Sequence, residues 1–145
     1  MRRFNFKLEK VLRLRENREQ ETKLELGKAI GVLSALELRI KNIALEKIAA
    51  SQNRFSSNFF EIHSMDLYIL RLDQTKEILL KEAALAELEV EKARTIYLEA
   101  SRDRKIISKL KERQEQEYRH NMNLEEIKAI DDISSGIAAR KAVAV

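Results

Sequence analysis

Apolar residues recur along this chain in two long heptad phases, and that regularity limits the possible folds more than any other feature. Alternating steps of four and three from Leu8 give Leu8, Leu12, Arg15, Glu19, Thr22, Leu26, Ala29, Leu33, Leu36, Ile40, Ile43 and Lys47. A second phase runs Met65, Ile69, Leu72, Lys76, Leu79, Ala83, Ala86, Val90, Ala93, Tyr97, Ala100, Arg104, Ile107, Lys111, Gln114 and Tyr118. A seam of two positions in seven is the coiled-coil template, whereas a helix packed inside a globule shows a broader apolar face. Composition removes the alternatives. Among 145 residues there is no Pro and only three Gly, yet an α/β or all-β domain of that length needs many tight turns, which those residues favour. The predicted class is all-α: a single domain over residues 1–145, folded as a long antiparallel two-helix coiled-coil hairpin.

Between the two phases lies Arg54-Phe55-Ser56-Ser57-Asn58-Phe59-Phe60-Glu61-Ile62-His63-Ser64, the one stretch where the repeat fails and turn-favouring residues cluster. The chain is expected to reverse there, with helix one at about 4–55, the turn at about 56–64, helix two at about 65–133 and a C-terminal tail beyond. Ser64 would cap the second helix, and Asp66 would then sit in its first turn, where the helix dipole favours an acid. A turn centred near residues 59 and 60 pairs Ile40 with Leu79, Leu36 with Ala83, Leu33 with Ala86, Ala29 with Val90 and Leu26 with Ala93. Large residues then face small ones, which lets two helices approach without overpacking.

The same register makes the seam polar towards the N-terminus, where Thr22, Glu19 and Arg15 face Tyr97, Ala100 and Arg104. The run Arg15-Glu16-Asn17-Arg18-Glu19-Gln20-Glu21 has no apolar residue. It reads either as a long solvated surface or as a segment stabilised by a partner. Past Tyr118 the second helix has no mate in the chain, yet Leu124, Ile127, Ile130, Ile133 and Ile137 extend a thin apolar stripe. An unpaired stripe of this kind suggests another protein. Ser134-Ser135-Gly136 is expected to end the helix and leave a mobile tail.

Several kinds of chemistry are missing from the sequence. There is no Cys and there are only two His, His63 and His120, without the spacing of a metal site. Glu125-Glu126 and Asp131-Asp132 are adjacent, so on a helix they point about 100° apart and cannot share a substrate. No catalytic residue, cofactor or metal is expected, and the chain does not read as an enzyme. Gly27 and Gly31 form a GxxxG outside the seam, either two tolerated outer-face glycines or a bare backbone surface for a partner. No apolar run reaches the roughly 18 residues of a membrane span, and MRRFNFKLEK lacks the apolar segment of a secretory signal. A cytoplasmic protein is expected.

The net charge of +4 is local. Residues 1–23 hold eight basic and four acidic groups, while the rest of the chain is balanced. Acids alternate with these bases, unlike the dense basic stripe that neutralises phosphates, so nucleic acid is not an expected partner. The aromatics Phe55, Phe59, Phe60 and Tyr68 cluster in and just after the turn. The three phenylalanines either close the hairpin tip on one another or form a docking surface.

The opening Phe4-x-Phe6-x-Leu8-x-x-Val11-Leu12-x-Leu14-Arg15, followed by a charged helix, resembles the start of the FliJ family of the flagellar type III export apparatus. Lys109-Leu110-Lys111-Glu112-Arg113-Gln114 is similar to a helix-two segment of that family. So is the end, Asn123-Leu124-Glu125-Glu126-Ile127-Lys128-Ala129-Ile130-Asp131-Asp132 followed by Ala138-Ala139-Arg140-Lys141. The likeness covers nearly the whole chain. It implies a hairpin similar to the γ stalk of rotary ATPases, with the termini-bearing end in the hole of a hexameric export ATPase whose assembly and ATP hydrolysis it promotes. It also implies contact with the cytoplasmic domain of the export gate and with export chaperones, and a cytoplasmic protein held at the inner membrane of the flagellar base through its partners. On this chain the ATPase-binding end would comprise Phe4, Phe6, Leu8, Val11, Arg13, Arg15, Arg113 and Gln114, with Leu124 and Ile127 on the overhang. Ile48, Phe55 and Tyr68 would face the gate or the chaperones. A structural coiled-coil adaptor or filament subunit, or an injectisome stalk of the same architecture, are the rival readings.

Overall fold

The computed structural model describes residues 3–53 and 58–144. The protein is an all-α helical hairpin of two long helices packed against each other, α1 over Glu9–Asn53 and α2 over Phe59–Val143, with no strand among the described residues. The heptad phases form the seam. Every α1 position of the first phase from Leu12 to Lys47 is buried or half-buried, as is every α2 position of the second from Met65 to Lys111. Leu8 is exposed, and it precedes the helix. Gln114 is exposed as well, because beyond Lys111 the covered stripe steps by four to Glu115 and continues through Tyr118 and Met122. The partner at that level is not a second helix but the non-helical segment before α1, which imposes no heptad register.

Packing falls into two units, residues 1–16 with 102–145, and residues 17–101. In the first, Phe6, Leu12 and Ile107 are buried together, with Phe4 and Leu110 packed against them. Leu12 and Ile107 hold the positions that the sequence register assigns to each other. In the second, Leu72, Leu79, Ala83 and Val90 supply the buried side of α2. Lys47 Nζ bonds Asp73 Oδ1 at 2.7 Å from one helix to the other. Thr22 is buried in this unit, and its hydroxyl donates to the carbonyls of Arg18 and Glu19 at 2.9 Å, so the polar seam position satisfies itself on its own helix.

The helix ends differ from the sequence expectation in three places. Helix one starts at Glu9 rather than near residue 4. Residues 3–6 are non-helical and 7–8 form a turn, closed by Glu9 N–H donating to the Phe6 carbonyl at 3.2 Å. Burying Phe6 holds that segment off the helical path. Helix two starts at Phe59 rather than residue 65, because Asn58, not Ser64, is the cap: its Oδ1 accepts from Glu61 N–H at 3.2 Å, and Glu61 is the acid of the first turn. Part of the expected turn, residues 54–57, lies outside the described residues. At the other end α2 runs through Ser134-Ser135-Gly136 to Val143. Gly136 does not adopt positive φ, so it forms no C-cap. The alanines after it and the basic pair Arg140 and Lys141 in the last turn favour continuation.

Candidate interaction surfaces

The residues expected at the termini-bearing end divide into two groups. Phe6 is only 5% exposed and belongs to the chain's own core, and Phe4 packs its ring on Tyr118 with centroids 5.6 Å apart. Lys111 holds this strap from below: its Nζ bonds Glu9 Oε2 at 2.8 Å and stands 6.0 Å from the centre of the Phe6 ring. Arg15 is half-buried and donates through Nη1 to the Asp103 carbonyl at 2.9 Å. These four residues hold the segment before α1 and its first turns against α2. Leu8, Val11, Arg13, Arg113, Gln114, Leu124 and Ile127 are exposed and can meet a partner.

The strap covers α2 as far as a groove of about 500 Å³ whose walls include Phe4, Asn5, Gln114, Tyr118 and Asn121. Beyond Met122 every described residue of α2 is exposed, and Leu124, Ile127, Ile130, Ile133 and Ile137 are among them. The apolar stripe of the overhang is therefore uncovered over some twenty residues, about 30 Å of helix at 1.5 Å per residue.

In the unit of residues 17–101, Ile48 is exposed and Tyr68 is 45% exposed, while Phe55 lies outside the described residues. The Tyr68 hydroxyl donates to Glu46 Oε2 at 3.1 Å, and that bond, with the carboxylate's charge, holds the phenol above its ordinary ionisation value. Phe59 and Phe60 meet edge to face at 6.2 Å, yet they are 79% and 82% exposed. They do not bury one another, and Phe55, the third phenylalanine of both readings, lies outside the described residues. Gly27 and Gly31 are exposed, and a Cβ at either would touch nothing within 4 Å. Sequence reasoning missed Glu46, Asp73 and Glu9 as cross-helix partners. Nothing in their local pattern marks them, because each is defined by what the opposite chain segment places against it.

Among the described residues no cluster of His, Cys, Asp or Glu could hold a metal ion, and no helix is long and apolar enough to cross a membrane. What these observations define is an all-α helical hairpin with exposed apolar side chains along both of its long helices. The model of the flagellar FliJ protein matches residues 4–142, and the chain belongs to the FliJ family, a flagellar export component. No curated protein and no solved structure matches it.

Proposed function

We propose that this protein is a non-enzymatic stalk of the flagellar type III export apparatus, which assists assembly and activity of the hexameric export ATPase and links it to the export gate and to export chaperones. The observation that carries this reading is the α2 overhang, whose isoleucine stripe has no cover among the described residues. The ring-facing set is Leu8, Val11, Arg13, Arg113, Gln114, Leu124 and Ile127; Phe4, Phe6 and Arg15 support it from within. Ile48 and Tyr68 are the gate- or chaperone-facing candidates, and the exposed pair Phe59 and Phe60 extends that set. A protein that binds the assembled ring better than its free subunits favours assembly by linkage, without taking part in hydrolysis. The protein would act in the cytoplasm and reach the membrane through its partners only.

The test is the ATPase rate as a function of ATPase concentration, with the full chain and with a chain truncated after Met122. The full chain should shift the rise in activity to lower ATPase concentration, and the truncated chain should lose most of that shift while the strap stays folded. Equal stimulation by both would remove the overhang from the mechanism and favour the structural adaptor instead.

A further inference from the structure

We infer that Glu46 is a positioning residue for docking of the export gate's cytoplasmic domain, holding the Tyr68 ring in one orientation from the opposite helix; this rests on the docking role proposed above for Tyr68. The bond joins α1 to α2 at 3.1 Å between residues 22 apart in sequence. Packing alone does little for the ring, which is 45% exposed, and exposed side chains change rotamer within nanoseconds when nothing ties them. A phenol donating to a carboxylate makes a charge-assisted bond, stronger than one between neutral groups.

The two helices are joined again at the next residue, where Lys47 bonds Asp73 at 2.7 Å, so residues 46 and 47 of α1 are tied to positions 68 and 73 of α2. A side chain already fixed before binding loses less freedom when a partner closes on it, and that difference corresponds to about fivefold in affinity for one such group. Glu46 thus contributes to docking without touching the partner.

The experiment uses the full-length chain with Glu46→Ala, Glu46→Gln, Tyr68→Phe and Tyr68→Ala. It reads phenol ionisation by ultraviolet titration, with the Tyr68→Phe chain as the reference that isolates Tyr68, together with affinity for the cytoplasmic domain of the export gate and helicity. Glu46→Ala should lower the Tyr68 ionisation towards its ordinary value and weaken binding about fivefold at unchanged helicity. Tyr68→Phe, which keeps the ring but loses the donor, should weaken binding equally, and Glu46→Gln, which keeps an acceptor, should restore most of it. A Tyr68 titration indifferent to Glu46, or a titration that moves while binding does not, overturns the positioning role. Normal binding by Tyr68→Ala overturns the docking reading itself, and that variant tells the two failures apart.

Discussion

Glu9 and Lys111, 102 residues apart in sequence, form a 2.8 Å ion pair that fastens the first residue of α1 to α2. With side chains about one-third exposed, the pair is worth little as a charge interaction alone. Its value lies in where it puts Phe6. The same ammonium stands over the Phe6 ring, and the strap it pins buries the aromatic that closes the core of the first unit.

Phe6→Ala should therefore destabilise this unit by about 3 kcal/mol, the usual cost of emptying a buried aromatic site. Phe59→Ala, at 79% exposure, should change stability by less than about 0.5 kcal/mol. Hydrogen exchange resolves the difference: protection should fall around Leu12 and Ile107 in the first variant only. Equal effects would mean that the strap does not carry the packing described.

Leu33 lies in the seam, whereas Leu38, five residues on, is 58% exposed. Leu33→Asp should cost about 3 kcal/mol by placing an unpaired charge among apolar side chains, and Leu38→Asp within about 0.5 kcal/mol of zero. Urea midpoints compare the two directly. A reversal of their order would put the heptad phase on the wrong residues.

Gly27→Ala and Gly31→Ala should each stabilise the protein by up to about 1 kcal/mol, since both lie inside α1 and the added methyl meets open space. Thermal unfolding measures the gain. If either substitution stabilises the chain while weakening a partner's binding, the bare backbone at that point is a contact surface.

The Tyr68 bond has a defined pH window. Because the folded ionisation lies above the unfolded one, its stabilisation is complete below the ordinary phenol value of 10.0 and is lost as pH rises through the raised folded value. Alkaline unfolding of the native chain should be steeper than that of Tyr68→Phe, which has no such proton to lose. Identical alkaline limbs would show that the bond does not persist in solution.

Arg13 and Arg113 are both exposed, in the unit of residues 1–16 and 102–145. Arg13→Glu with Arg113→Glu should reduce ATPase stimulation more than Lys76→Glu, a half-buried seam change that should cost more in stability. Added salt should weaken the native stimulation too, because exposed charges are screened beyond about 8 Å at physiological ionic strength. Stimulation unaffected by the double substitution and by salt would take the basic arm out of the contact.

The heptad spacing alone determined that the chain is two helices and which side of each is covered: from Leu12 to Lys47 and from Met65 to Lys111 no seam position departs from it. That is so because one-sided burial is a local, periodic property of a helix, visible wherever the apolar residues are. The exposed overhang stripe was legible for the same reason. What only the tertiary structure decided is how the ends are used. Phe6 and Leu8 look alike as apolar residues before a helix, yet Phe6 is core and Leu8 is exposed, because an irregular strap has no period from which direction can be read. Asn58 rather than Ser64 caps α2, and α2 passes through Gly136, since capping competes over fractions of a kcal/mol to about 1 kcal/mol and is settled by neighbours. The cross-helix bonds of Glu46 with Tyr68 and of Lys47 with Asp73 depend on the rotation of one helix against the other, a quantity no single stretch of sequence contains.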